Sequence, residues 1–295
     1  MEKQSLPRQH IPLAQAIQLR RSVRRYDRRD VPPCDLERIE ARIKALEGLP
    51  GEGAFSSSLR SITADDLAAV GPYGRLLNSP YSVVPCMLGG ERPLVSLGYR
   101  MERLALDLTQ MGLGSCFVGA LGSETRCCQR FGLPEGARIG ALLIFGYSSP
   151  AAVGSALNRL VRRAAGAERR LAPEQIYHEQ FWDHPAAPPS DLASVVEAAR
   201  LAPSAKNAQP WRLLQRGDAL HLYVTRVNRR YGTGSSLEYR FFDGGICMAN
   251  MSAALEAAGR GGRWLFDSAD RPPETEELEY LATLRPDVDD TGGKA

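Results

Sequence analysis

The sequence predicts an α+β protein built from two duplicated, helix-rich halves with antiparallel or mixed sheets, and three observations carry that prediction. Segment 98–114, GYRMERLALDLTQMGLG, aligns without gaps onto 245–261, GICMANMSAALEAAGRG, at an offset of 147 residues. Identities fall at Gly98/Gly245, Met101/Met248, Leu108/Leu255, Gly112/Gly259 and Gly114/Gly261. Five matches in seventeen positions exceed the roughly one that average residue usage gives. Upstream, Pro32-Pro33-Cys34-Asp35-Leu36 mirrors Pro188-Pro189-Ser190-Asp191-Leu192. Two copies at a period near half the chain are a duplication, since a solenoid needs a far shorter period. The composition, 43% hydrophobic and 24% charged over 295 residues, is globular and leaves ample chain for a core. The halves are assigned to 1–160 and 161–295, with the boundary in the Ala-, Gly- and Arg-rich stretch 150–172.

In chain order, residues 11–20 carry Ile11, Ala14, Ile17 and Leu19 at roughly helical spacing. Each Asp-Leu copy opens a helix, 35–47 in the first half and 191–201 in the second, with Ser190 or Asp191 as the N-cap of the latter. After its Asp-Leu helix the first half has only a Gly- and Ser-rich loop, 48–58. Long helices at 97–111 and 244–258 carry apolar stripes, and each is stopped by glycine where a left-handed cap is needed. ALLIFG at 141–146, WRLLQ at 211–215 and ALHLYVTRV at 219–227 read as strands, the last two joined by a hairpin at Gly217-Asp218. The tail beyond about 286, PDVDDTGGKA, reads as disordered at its end.

Thirty-seven basic against thirty-four acidic residues leave a net charge of +3, which gives no broad field for steering onto nucleic acid. The six cysteines form no C-x-x-C pair and no zinc-type spacing, and His178 and His184 are a poor metal pair, so no metal is expected. The N-terminal MEKQSLPRQHIPL lacks the basic-then-apolar pattern of a secretory signal. No apolar run approaches the roughly 18 residues that cross a bilayer. These features predict a cytoplasmic, soluble protein with reduced thiols, a small-molecule partner, and neither nucleic acid nor membrane.

The halves differ in their polar motifs. Arg20, Arg21, Ser22, Arg24 and Arg25 crowd guanidinium groups and a hydroxyl into six residues, the donor set phosphate recognition uses. A solvated basic helix end is the alternative. The aligned stretch of the second half, Ile176 to Trp182, has no arginine. Conversely, the second half alone carries Ala202-Pro203-Ser204-Ala205-Lys206-Asn207-Ala208-Gln209-Pro210-Trp211, two prolines framing several donors. Such a display suits a flat heteroaromatic edge; an ordinary polar loop holding its own backbone is the other reading. The glycines of GLGSCFVG (112–119) follow a helix and do not match G-x-G-x-x-G, so they read as a helix stop followed by close backbone approach.

Taken together, these residues resemble the nitroreductase family of FMN-dependent oxidoreductases. RRSVRRY resembles its N-terminal phosphate signature, and APSAKNAQPW its A-P-S-x-x-N-x-Q-P-W loop. SLGYRMERLALDLTQMGLGSCFVGAL is similar to its central dimer-forming helix and following strand. FGLPEGARIGALLIFGYSSP and ERRLAPEQIYHEQFW resemble its closing segments. The similarity covers most of residues 11–265. Family members pair two subunits around two FMN sites, each site taking the arginine signature from one subunit and the Pro-Ser-x-x-Asn loop from the other. The resemblance therefore implies a nitroreductase-like fold as an intrachain pseudo-dimer, with one intact FMN site between the halves and a degenerate second one.

By position, the resemblance implies that Arg20, Arg21, Ser22 and Arg24 hold the phosphate and ribityl end, with Arg170 as a further phosphate arginine. Pro203, Ser204, Ala205 and Asn207 would pack beside the isoalloxazine, and the backbone of Gly119 and Ala120 would approach the flavin N5. Asn78 and Arg75 are candidates for reading the pyrimidine edge. The implied activity is ping-pong hydride transfer from NADH or NADPH, through the flavin, to a nitroaromatic or quinone-type acceptor, with no catalytic side chain required. The protein would act as a monomeric pseudo-dimer. A flavin carrier without NAD(P)H-dependent turnover is the alternative.

Overall fold

A computed structural model of the protein describes residues 10–149 and 169–287. The expected division at 160/161 and the last eight residues lie outside the described residues. The fold is mixed α+β with two sheets. Residues 10–149 form α1 (Leu13–Leu19), α2 (Pro33–Lys44), β1 (Glu52–Ser61), α3 (Ala64–Val70), β2 (Tyr81–Gly90), α4 (Pro93–Gln110), β3 (Gly114–Gly119), α5 (Glu124–Phe131) and β4 (Ala141–Gly146). Residues 169–287 form α6 (Pro173–Ile176), β5 (Tyr177–Glu179), α7 (Ala193–Leu201), β6 (Trp211–Arg216), β7 (Ala219–Thr225), α8 (Tyr239–Ala257), β8 (Gly262–Leu265) and β9 (Leu278–Pro286).

The first sheet has the order β1-β2-β4-β3 and the second β5-β6-β7-β9-β8. With the short parallel strand β5 set aside, the second order is the first again, β6, β7, β9 and β8 standing for β1, β2, β4 and β3. Register repeats as well. Leu59 faces Val83, Val83 faces Leu143, and Leu143 faces Phe117. Gln215 faces Leu220, Leu220 faces Leu284, and Leu284 faces Trp264. Leu59 and Gln215 are separated by the same 156 residues as Pro32 and Pro188, and Phe117 and Trp264 by the 147 that relate the glycine-rich helices.

Those helices, α4 and α8, form the centre of the molecule, with buried faces of Leu97, Met101 and Leu104 on one and Ile246, Met248 and Met251 on the other. They touch through glycine. A Cβ added at Gly98 would lie 2.0 Å from the Phe242 carbonyl oxygen, and one at Gly245 would lie 2.0 Å from that of Val95. Gly98 also faces the Ile246 nitrogen, and Gly245 the Tyr99 nitrogen. Phe242 and Ile246 are Val95 and Tyr99 displaced by 147, so the contact is reciprocal, the pattern of an isologous interface. Both helices end as expected, with Gly112 at φ 74° and Gly259 at φ 71°.

Two expectations need correction. The stretch 48–58 is not simply a loop, because β1 begins at Glu52. Phe55 and Leu59 alternate onto the core side, while the serines between and around them occupy a half-exposed edge strand. Gly53 is admitted because a Cβ there would lie 2.2 Å from the Leu88 carbonyl oxygen. Turn-forming residue types thus hid a strand whose period-two pattern rests on two apolar side chains. Neither Ser190 nor Asp191 caps α7: Leu192 stands at the N-cap, since its N–H bonds the Pro189 carbonyl in a preceding turn that delays the helix.

Where the second half turns tightly at Gly217-Asp218 between β6 and β7, the first half inserts α3 between β1 and β2. It also inserts α5 between β3 and β4. Arg126 of α5 donates to the Ala69 carbonyl at 2.6 Å, and Ser123 to that of Val70 at 2.8 Å, which ties the two insertions together. Among the described residues no helix is long and apolar enough to cross a membrane.

Candidate functional site

A cavity of about 390 Å³ opens beside the N-terminal end of α8. Its walls come from Ser22 and Arg24, the β3 residues Cys116, Phe117 and Gly119, the loop Pro203–Lys206, and Tyr239, Phe242, Asp243 and Ile246 of α8, with Ala141 of β4 and Tyr73 from the insertion between β1 and β2 completing them.

The arginine segment reaches the cavity because it is extended. The Val23 N–H donates to the Ser115 carbonyl at 2.8 Å, so residues 22–24 run alongside β3. Period two then sends Val23 into the core and aims Ser22 and Arg24 at the cavity. Arg24 Nε donates to the Tyr73 hydroxyl at 2.7 Å. Arg21 and Arg25 are exposed and lie outside the wall. Arg20 is buried behind it, with Nε 3.4 Å from Glu102 Oε1 of α4. Burial pushes the Glu102 carboxyl up to about 7, against the pull of Arg20, an Asn250 hydrogen bond and Arg170.

The proline-framed loop is held open from behind. Ser204 Oγ accepts the Gln209 N–H at 2.9 Å, and Lys206, Asn207 and Gln209 adopt left-handed φ values of 53°, 54° and 47°. Asn207 Nδ2 donates to the Arg169 carbonyl, and Gln209 Oε1 accepts the Leu171 N–H, both at 2.9 Å. Arg170 donates to the Ala202 and Leu201 carbonyls and to Asn207 Oδ1. Asn207, Gln209 and Arg170 therefore stitch residues 169–171 to the loop, while Pro203, Ser204, Ala205 and Lys206 face the cavity. Burial first, then Arg20 and Arg200, lowers the Arg170 guanidinium to about 10.

Gly119 lines the cavity and Ala120 does not. The Ala120 N–H is committed to the Gly140 carbonyl at 2.8 Å. A Cβ at Gly119 would lie 2.1 Å from the Tyr239 hydroxyl, so glycine allows that ring to approach. Asn78 bonds the backbone of Tyr26 on both its N–H and its carbonyl, Arg75 is exposed, and neither lines the cavity.

The sequence reading passed over Tyr73, Tyr239, Asp243 and Glu102. Asp243 is buried, with Oδ2 accepting the Tyr231 hydroxyl and the Ala205 N–H, both at 2.8 Å. Burial raises it to about 7 against those two hydrogen bonds. Glu102 could have been found, since it shares the stripe of Gly98, Met101, Ala105 and Leu108 that the repeat assigns to the core. Asp243 stands next to Phe241-Phe242 and Gly244-Gly245, where a carboxylate is equally out of place. Nothing in the sequence marks Tyr73.

At the corresponding end of α4, two of the three matching positions carry buried apolar side chains. Ala205 corresponds to Leu49, Gly119 to Phe266 and Arg24 to Gln180. Leu49 and Phe266 are buried in one hydrophobic cluster with Trp264 and Val95, and the Arg92 guanidinium sits 4.6 Å from the Phe266 ring centroid.

A family model described as "Putative TM nitroreductase" matches residues 12–242. The crystal structure of a "putative nitroreductase" from Thermotoga maritima superposes with a TM-score of 0.59 at 18% identity, over 97% of this chain and 98% of that one. This shows the shared fold over the whole length. An FMN-dependent nitroreductase from Clostridium difficile matches 45% of this chain and 86% of its own, with 18% identity and a TM-score of 0.39. A nitroreductase family protein from Clostridium novyi matches 48% and 87%, with 16% identity and a TM-score of 0.42. No curated protein matches the sequence. The family match runs from the first turn of α1 into α8, through both walls of the cavity, and the chain belongs to this nitroreductase family.

Proposed function

We propose that the protein is an FMN-dependent oxidoreductase that passes hydride from NADH or NADPH to an electron-poor acceptor of nitroaromatic or quinone type. One FMN is held per chain, between halves 1–160 and 161–295 of a fused pseudo-dimer. The observation that carries this reading is the meeting of Ser22 and Arg24 from the first half with Pro203–Lys206 from the second across one cavity. Repeated strand order and reciprocal glycine contacts support the pseudo-dimer.

The residues present fit FMN. A volume of about 390 Å³ is within the range of small-molecule sites. Phe117, Phe242 and Ile246 offer apolar walls to a ring system, and Arg24 and Lys206 offer cations. Buried Arg20 Nη1 has no hydrogen-bond partner among the described residues, as suits a guanidinium reserved for a phosphate. When bound, FMN supplies the hydride-accepting and hydride-donating centre. Arg20, Ser22 and Arg24 would hold its phosphate and ribityl end, with Arg21 adding charge from outside. Arg170 and Asn207 would act by fixing the loop, and Pro203, Ser204, Ala205 and Gly119 by bounding the ring. With the Ala120 N–H committed elsewhere, Gly119 would be the backbone neighbour of the ring.

The test is the absorption spectrum of the purified protein and FMN quantitation after denaturation, followed by anaerobic mixing with NADH and NADPH. One FMN per chain that bleaches on mixing is the expected result. Bound FMN that stays oxidised leaves a flavin carrier, and no flavin after reconstitution removes the oxidoreductase reading.

A further inference from the structure

Behind the cavity, two opposite charges are buried together with their outer atoms unused. Glu102 is 0% exposed and Arg20 8%. Their contact is a single 3.4 Å approach of Nε to Oε1. Arg20 Nη1, Glu102 Oε2 and Ser115 Oγ lack partners among the described residues. Three elements bring groups to Glu102: the end of α1 brings Arg20, α8 brings Asn250, whose Nδ2 donates to Oε1 at 3.4 Å, and the segment before α6 brings Arg170. Arg170 is already engaged with Ala202, Leu201 and Asn207. Among the described residues, Arg20 Nη1 is thus a buried guanidinium nitrogen of this cluster without a partner, and the carboxylate beside it offsets its charge.

A phosphate dianion bound by Arg20 would place a second anion beside the cation that the buried Glu102 carboxylate already approaches. Low-dielectric repulsion between the two anions is large enough to move a proton. We propose that Glu102 is a positioning residue that couples binding of the phosphate-bearing flavin to uptake of one proton, so that the protein takes FMN with Glu102 in its neutral form. This rests on the flavin reading above and assigns it a charge-state preference. The balance is simple: one proton from solvent joins one Glu102 oxygen as the ligand phosphate docks, and no bond to the ligand is made or broken. The raised Glu102 carboxyl makes this uptake accessible near neutral pH. Linkage then requires FMN affinity to fall as pH rises, by about tenfold per unit above 7 where uptake is complete. The phosphate's own second ionisation, near pH 6, acts with the opposite sign and is finished before that window. Asp243 titrates in the same range and faces the ring end of the cavity, so it must be separated from Glu102.

The experiment measures dissociation constants of FMN and of riboflavin, which lacks the phosphate, by flavin fluorescence between pH 7 and 9 for the full chain and for Glu102→Gln. Isothermal titration of the unaltered protein with FMN, in buffers of different ionisation enthalpy, counts protons independently of any variant. Expected are uptake of close to one proton per FMN, a steep pH dependence for FMN alone, and a flat profile with tighter binding at pH 9 in Glu102→Gln. Zero proton uptake, an unchanged slope in Glu102→Gln, or an equal slope for riboflavin (the mark of Asp243) overturns the coupling while leaving the flavin reading intact. Absence of binding by either flavin at every pH overturns the flavin reading, and the coupling with it.

Discussion

The two ends of the central helix pair use one scaffold in opposite ways. At the N-terminal end of α8, a glycine at 119, an alanine at 205 and an arginine at 24 leave a cavity with a charged rim. At the corresponding end of α4, Phe266, Leu49 and Gln180 occupy those positions, and the first two are absorbed into the core. Strand order and register are the same on both sides. The site is therefore not a property of the fold but of a few positions where side-chain volume is withheld. The filled copy adds apolar burial that the open one lacks, and it turns in a bare hairpin between β6 and β7 where the open copy carries α3, with no helix between β8 and β9 where the open copy carries α5. Insertions are tolerated at loop tips, and here they sit on the side with the cavity, where α3 and the turn after it supply Tyr73.

The helix crossing tests whether the two sides are equivalent at all. Gly98→Ala and Gly245→Ala each push a Cβ into a backbone carbonyl that cannot rotate away, so each should cost about 3 kcal/mol or more by overpacking. Denaturant unfolding of both variants should give similar losses. A silent change at one glycine would break the reciprocity on which the proposed pseudo-dimer rests. On the filled side, Phe266→Ala should cost about 3 kcal/mol as a buried aromatic is removed, with FMN stoichiometry still one per chain. A second flavin in that variant would mean that Phe266 alone closes the second site.

Much of this comparison was legible in the residues. The Gly98/Gly245 identity marked the crossing, because only a position of forced close approach keeps glycine inside two long helices, and Gly112 and Gly259 marked the helix ends. The polar loop was legible as a special segment but not in its orientation. Asn207 and Gln209 display donors in the sequence, yet left-handed backbone at 206, 207 and 209 turns them toward residues 169–171, a choice made by long-range partners. Strand β1 was hidden by its serines. Glu102 and Asp243 stand as acidic exceptions within largely buried helical stretches, and apolar periodicity alone does not distinguish such an exception from a solvated position.

Arg24 and Gln180 sharpen the contrast at the level of the ligand. Arg24 is a cleaner probe than Arg20, whose loss would strand the buried Glu102 charge. Arg24→Ala should weaken FMN binding by about 1.5–3 kcal/mol, the worth of a hydrogen bond from a charged group. Gln180→Ala should leave affinity unchanged, and equal losses from both in fluorescence titration would argue for two working sites.

Asp243 gives the open side a pH signature that its counterpart Ser96 cannot have. Burial raises the folded carboxyl from its ordinary value of 3.8 to about 7, so between those values the folded protein binds more protons than the unfolded chain. Stability contributed by this group is therefore present at low pH and lost as pH rises toward 7. Asp243→Asn should remove that slope, on the order of 1 kcal/mol per pH unit, when melts at pH 5 and pH 7 are compared. A variant whose pH profile matches that of the unaltered chain would place the titration elsewhere.

The smallest effect belongs to the matched helix ends. Gly112 and Gly259 have nearly the same positive φ, and a Cβ at either would meet nothing within 4 Å. Alanine there is opposed only by the left-handed backbone, a penalty of about 1–2 kcal/mol. The reduced freedom of the unfolded chain returns about 0.4–1 kcal/mol of that. Gly112→Ala and Gly259→Ala should each lower stability by about 1 kcal/mol, with flavin content unaltered, because neither residue reaches the cavity. Losses that agree between the two halves would mean that backbone geometry has stayed matched while the side chains around the two sites diverged. A loss at Gly112 alone would mean that the filled half has relaxed its helix end as well as its pocket.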